Sequence, residues 1–194
     1  MCIFLQKLHS QEIPNPNKVI GFEIGSDFHL ATYEQSIGYF EKLSAASDMV
    51  EIKSAGKTSE GREWKYVLIS TPENLQNIEH YKSISQQLAH PEHLTREMAK
   101  KLAKEGKAIV DISGGLHASE VAGAQHILTL AYDLVNNANS EKYSAIFENV
   151  ILILWPSLNP DGQDIIANWY SGNVGTPYEV DSTTWLYQKY VGHD

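Results

Sequence analysis

The stretch that most limits how this chain can fold runs from Ala108 to Trp155. Ala108-Ile-Val-Asp-Ile112 is short, apolar and β-branched, the pattern of a buried strand. Ser113-Gly-Gly115 breaks it. From Ala118 onward, Val121, Ala124, Ile127, Leu128, Ala131, Leu134 and Val135 fall on one helical face. A second apolar strand, Val150 to Trp155, runs into Pro156 and then Asn159-Pro-Asp-Gly162, which reads as a turn. Strand, helix and strand in succession form a βαβ unit, which predicts two neighbouring parallel central strands with the helix crossing between them. The fold class expected is α/β, with a mixed, mainly parallel sheet flanked by helices.

The upstream half supplies elements of the same kind. Tyr33, Ile37, Phe40 and Leu43 give an amphipathic helix over 33–46. Met49 to Lys53 alternates as a strand, Lys57 to Arg62 is a polar turn, and Trp64 to Ser70 is a second strand. Thr71 before Pro72 starts a helix whose inner face is Leu75, Ile78, Tyr81 and Leu88. A further helix from Thr95 to Glu105 turns Met98 and Leu102 inward and ends at Gly106. Pro14-Asn-Pro16 reads as a linker, so 1–20 is taken as a leader remnant or linker and 21–194 as the globular unit. Beyond Gly162 the periodicity weakens: 168–177 reads as loop and 183–190 as a short helix.

Composition excludes several function classes. The chain is 42% hydrophobic and carries 15 Lys and Arg against 24 Asp and Glu, a formal charge of −9. An acidic chain without a basic cluster has no electrostatic footprint for nucleic acid. No window approaches the ~20 apolar residues of a membrane-spanning helix. The single Cys2 excludes an internal disulfide and any multi-cysteine metal cage. Met1 to Leu5 is apolar but shorter than the ~7–15 residues of a signal-peptide core, which leaves the compartment open.

His117-Ala-Ser-Glu120 is the stretch most suited to chemistry. It follows a strand at the carboxyl edge of the expected sheet, where open α/β sheets place their sites. The spacing, with Glu120 in the first turn of the next helix, lets an imidazole and a carboxylate converge on one ion, and zinc suits that donor pair. The tetrapeptide alone also fits a surface histidine followed by a glutamate that the helix dipole favours. Other candidates read as ordinary. His126 lies on the polar side of its helix, and His80, His90 and His93 cluster around a helix end. His193 adjoins Asp194, and Trp155, Trp169 and Trp185 divide between core packing and a groove wall. A serine mechanism lacks its Gly-x-Ser-x-Gly elbow.

Three motifs in order carry a resemblance. Gly56-Lys-Thr-Ser-Glu-Gly-Arg62 precedes a strand, Gly114-Gly-Leu-His117-Ala-Ser-Glu120 opens a helix, and Asn159-Pro-Asp-Gly162 follows the next strand. In this the chain resembles the zinc metallocarboxypeptidase family from about Gly21 to Asp194, as the N-terminal portion of the catalytic domain. The resemblance implies that His117 and Glu120 are the first two ligands of a Zn2+ ion. It also implies that Asp194, in Gly192-His-Asp194, is the carboxylate that orients the His117 ring. It makes Glu60 and Arg62 structural and gives Asn159 to Gly162 a site-shaping role. The substrate implied is a peptide or protein, and the setting secreted or periplasmic; oligomeric state is not implied.

The family's third zinc ligand and its catalytic glutamate would fall after Asp194, so no catalytic residue is assigned within the chain, and the fragment is expected to be inactive. The family's oxyanion-stabilising arginine has no counterpart between Gly162 and Asp194, where Lys189 is the only lysine or arginine. Two alternatives stay open. One is a zinc amidase or deacylase acting on cell-wall peptides or N-acyl amino acids, and the other is a non-catalytic binding module on the same fold.

Overall fold

The computed structural model describes residues 12–179. In chain order the elements are α1 (Pro16–Ile20), α2 (Tyr33–Ala46), β1 (Val50–Lys57), β2 (Glu63–Ile69), α3 (Pro72–Gln76), α4 (Ile78–Ala89) and α5 (Arg96–Glu105). Then follow β3 (Ala108–Ser113), α6 (Val121–Asn136), α7 (Glu141–Asn149), β4 (Val150–Trp155) and α8 (Pro160–Asn173). The helix expected over 183–190 lies outside the described residues.

Side-chain caps set several of the helix starts. Thr32 and Gln35 form a reciprocal capping box at α2, and Thr71 and Thr95 accept from Asn74 N and Met98 N at the starts of α3 and α5. The helix expected from Pro72 divides at Asn77 into α3 and α4. Met98 is 49% exposed, not inward as its spacing suggests; α5 packs on α4 and buries none of its residues.

The sheet has the order β1-β2-β4-β3. β1 with β2 and β2 with β4 are antiparallel, while β3 with β4 is parallel, from Ala108 opposite Val150 to Ser113 opposite Trp155. The βαβ unit is therefore present, with α6 and then α7 between its strands. Its position differs from expectation. β3 is the edge of the described sheet and all six of its residues are exposed, Ile109 at 41% and Val110 at 39%. An apolar run identifies a strand without fixing which neighbours will cover it, and an uncovered apolar edge invites pairing with another chain.

Alternation along β2 and β4 divides the core in two. Val67, Ile69, Leu152 and Leu154 meet Phe40 and Leu43 of α2 and Leu128 of α6. On the other face Leu68 and Ile151 meet Leu75 of α3, with Ile78 and Tyr81 of α4 packed against them. The stretch before Phe22, expected as a linker, joins the first layer: Ile20 is buried there, and Ile13 and Val19 pack against it.

Tyr39 is fully buried in that layer, and its hydroxyl has no partner among the described residues. Burial, then Tyr132 and Asp133, hold its pKa well above the ordinary tyrosine value. The native state thus keeps a proton that the unfolded chain releases near pH 10. The associated stability is complete below that pH and declines as pH rises through it. Tyr39→Phe is expected to leave neutral-pH stability unchanged or raise it by about 1 kcal/mol, because a buried unmet hydroxyl is removed. It should also flatten the alkaline decline. Urea unfolding midpoints at pH 7 and pH 10.5 measure both effects.

Candidate functional site

The carboxyl ends of β3 and β4 continue as two loops joined by backbone hydrogen bonds. Gly114 N donates to Trp155 O at 2.9 Å, Leu158 N to Gly114 O at 3.0 Å and Asn159 N to Gly115 O at 3.1 Å. The Gly-Gly pair permits this. A Cβ on Gly114 would lie 2.9 Å from Gly123 O, inside the first turns of α6. Gly115 has φ 59°, which favours glycine, and a Cβ there would approach Ser157 Oγ to 2.9 Å.

From that anchor the chain makes one turn, closed by Glu120 N donating to His117 O at 3.0 Å, before α6 begins at Val121. Glu120 is therefore the residue before the helix rather than a member of its first turn, as the spacing suggests. Its φ and ψ of −86° and 64° are non-helical, and its side chain makes no capping bond. Its carboxylate instead meets His117: Nδ1 of the imidazole and Oε2 of Glu120 are 2.9 Å apart. The side chains are 36% and 69% exposed, so the pair faces outward from the loop.

Two donor atoms at that separation can both lie within ~2.2 Å of one point, as zinc–nitrogen and zinc–oxygen bonds require. The donor chemistry fits one half of a zinc site. Among the described residues no group of three His, Cys, Asp or Glu side chains gathers to complete it. Asp194, expected to orient the His117 ring, lies outside the described residues, as do His193, Lys189 and Trp185.

The other histidines stand apart from the pair. His126 is on the exposed side of α6, and His80 meets Glu105 Oε1 at 3.1 Å. His90 precedes, and His93 ends, the short 3-10 turn after α4. Trp155 donates its indole N–H to Asp111 and stacks near Trp64 and Tyr66 at 5.0 and 5.1 Å, an aromatic cluster on the sheet.

Asn159-Pro-Asp-Gly162 is a helix start rather than a free turn. Asn159 caps α8, accepting from Gly162 N at 3.0 Å, and Pro160 takes the first helical position. Residues 168–173, expected as loop, form the last turns of that helix. An Asn cap followed by proline and then apolar Ile166 and Ala167 was the available signal. Gly162 seats the helix against the site loop: a Cβ there would lie 2.7 Å from Ala118 Cβ.

A clamp centred on Arg62, which the resemblance makes structural, holds α8 in place through partners the sequence does not mark. Arg62 Nη1 donates to Asp161 Oδ1 at 2.6 Å and its Nε to Asp164 Oδ2 at 2.9 Å. Thr58 Oγ1 donates to Asp161 Oδ1 at 2.9 Å, and the Glu60 backbone N–H donates to Asp161 Oδ2 at 3.2 Å. Tyr33 N donates to Asp164 Oδ1 at 2.7 Å. Burial opposes the guanidinium charge, and the two carboxylates more than restore it, so the Arg62 pKa lies above its ordinary value. The β1–β2 turn, the start of α2 and the start of α8 are thus tied at one point next to the site loop.

The chain is similar to known proteins. A family model described as zinc carboxypeptidase matches residues 37–186. Among solved structures, thrombin activatable fibrinolysis inhibitor aligns over 77% of this chain and 31% of its own, at 16% identity and a TM-score of 0.51, a likeness of fold. Carboxypeptidase A from Helicoverpa armigera aligns over 76% and 31% at 20% identity and a TM-score of 0.49. A metallo-carboxypeptidase from Burkholderia cenocepacia aligns over 70% and 29% at 18% identity, also at a TM-score of 0.49. No curated protein matches the chain in sequence. The chain spans about a third of these structures, corresponding to the N-terminal part of the catalytic domain. The glycine-anchored loop, the His117–Glu120 pair and the capped start of α8 all fall within the matched stretch, and the chain belongs to the zinc carboxypeptidase family.

Proposed function

We propose that this chain carries the first part of a metallocarboxypeptidase site, in which His117 and Glu120 hold Zn2+ for hydrolysis at the C-terminus of peptide or protein substrates. The observation that supports this reading most is the meeting of His117 Nδ1 and Glu120 Oε2 at 2.9 Å, at the carboxyl end of β3. When bound, zinc supplies a Lewis acid and lowers the pKa of a water. The chain's own part is placement. His117 must offer a neutral ring nitrogen and Glu120 an ionised oxygen, and the 114–120 loop presents both outward from a rigid strand end. Asp194 is proposed to accept from the far nitrogen of His117 and fix its tautomer. The third ligand and the glutamate that moves the water's proton are assigned to positions following Asp194. The setting proposed is secreted or periplasmic.

The test is an assay on the full-length protein. Chelator-sensitive release of C-terminal residues from simple peptides is expected, with losses of at least about 100-fold in His117→Ala and Glu120→Ala. Activity confined to cell-wall peptides or N-acyl amino acids would assign the site to an amidase or deacylase. Activity untouched by either substitution would overturn the assignment of these two residues.

A further inference from the structure

Helices in folded chains owe most of their stability to a buried face, yet α5 buries none of its residues where it packs on α4. Its inner side is Ala99 and Leu102, the only residues of the helix that are partly covered. On the opposite side Arg96, Lys100 and Lys104 recur every four residues, all exposed, and Lys101 stands beside them. A rise of ~1.5 Å per residue spaces this row of charges about 6 Å apart along the surface.

Charge sets this row apart from an ordinary solvated face. Residues 96–107 hold five of the chain's 15 Lys and Arg and two of its 24 Asp and Glu, a local charge of +3 that the overall −9 conceals. The remaining residues therefore sum to −12. Lys53, Lys57, Arg62, Lys65 and Lys82 each meet a carboxylate, whereas Arg96, Lys100, Lys101 and Lys104 meet none among the described residues. Lys107 is engaged by the Glu148 carbonyl at 2.7 Å, and Glu105 is turned to His80 at 3.1 Å. Glu97 is the one other carboxylate of α5. Met98, the exposed apolar residue of the helix, lies two positions from Lys100 and so on nearly the opposite side.

We propose that the Arg96–Lys100–Lys104 row of α5 binds a linear acidic polysaccharide. A polymer with anions at a regular, sugar-length repeat matches cations at a regular four-residue repeat, and lysines meet it as flexible point charges. An anionic bilayer fits less well, because a helix at a membrane surface buries an apolar face there and this side has none. Single-stranded nucleic acid stacks its bases on aromatic rings, which the row also lacks. The −12 of the remaining residues opposes a nucleic-acid duplex, whose footprint reaches well beyond one helix.

The experiment uses the 194-residue chain and polygalacturonate, with uncharged dextran, oligothymidylate and phosphatidylglycerol vesicles as comparison probes. Excess chelator is present throughout, so that no metal bridges the polymer to the protein. Backbone amide signals of 96–107 in 15N-labelled protein report the contact. Polygalacturonate is expected to shift them and dextran to leave them still, and raising salt from about 50 to 200 mM should weaken binding at least about tenfold. Lys100→Gln with Lys104→Gln should weaken binding about tenfold or more. Lys18→Gln with Lys42→Gln makes the same change in net charge at exposed lysines outside α5 and should weaken it less than about twofold. Glu97→Gln removes the acid beside the row and should tighten binding by about twofold. Glutamine keeps the helix propensity of the residues it replaces, so far-UV circular dichroism should be unchanged in every variant. Equal losses in the two double variants, shifts confined to residues outside α5, no binding of polygalacturonate, or equal or tighter binding of oligothymidylate or the vesicles would each overturn the proposal. His117 and Glu120 are unchanged in every variant, so this proposal and the zinc reading fail separately.

Discussion

Arg62→Met is expected to lower the folding stability by about 2–3 kcal/mol. It leaves Asp161 and Asp164, whose side chains are 15% and 12% exposed, without their shared cation. Removing one partner of a buried ion pair costs ~3–5 kcal/mol, and the figure here is reduced because Arg62 is itself 37% exposed. Thr58, Glu60 and Tyr33 still donate to the two aspartates, so they are not wholly stranded. The urea midpoint should fall while the slope stays unchanged. Adding Asp161→Asn and Asp164→Asn to Arg62→Met should recover part of the loss, since the unpaired charges are then gone. A single-variant loss below about 0.5 kcal/mol would reduce the clamp to an ordinary surface pair.

The 194-residue chain by itself is expected to show no zinc-dependent release of C-terminal amino acids. His117 and Glu120 meet, but among the described residues no group of three metal donors gathers, and metal affinity depends on a full, prearranged set. No general base is assigned in the chain, and that function is typically worth ~10²–10⁴-fold in rate. The assay is amino-acid release from capped dipeptides, with and without chelator. Activity abolished by chelator and restored by zinc would show that a group within the chain completes the site.

The sequence was most legible where one physical cause acted alone. The apolar runs at Ala108–Ile112 and Val150–Trp155 marked strands, and the Gly114-Gly115 break marked the point where β3 must approach α6 closely. Thr71 before Pro72 announced a helix start, and in the fold Thr32, Thr71 and Thr95 each supply the missing acceptor for a backbone N–H at one. Legibility failed where the deciding contact was remote. Nothing local in Ile109 or Val110 tells whether a further layer will cover them, so β3 reads as buried and stands exposed. Asp164 is joined to Arg62 across 102 positions, and only the folded chain brings them together. The Asn159-Pro160 start of α8 was readable but competed with an equally good turn signal. At the site the His117 and Glu120 side chains meet, as the His-x-x-Glu spacing suggests, while the turn closed by Glu120 N and His117 O, which places Glu120 before the helix, was not encoded in the periodicity.

The zinc assignment at His117 and Glu120 is the central claim, and ring-nitrogen NMR during a zinc titration tests it most directly. The chain has eight histidines, each giving its own pair of signals. The account predicts that His117 Nδ1 responds first, and that Glu120→Ala weakens that response by at least about tenfold in zinc concentration. A His117 signal that stays still while another histidine takes up the metal, or an unaltered response in Glu120→Ala, would contradict it.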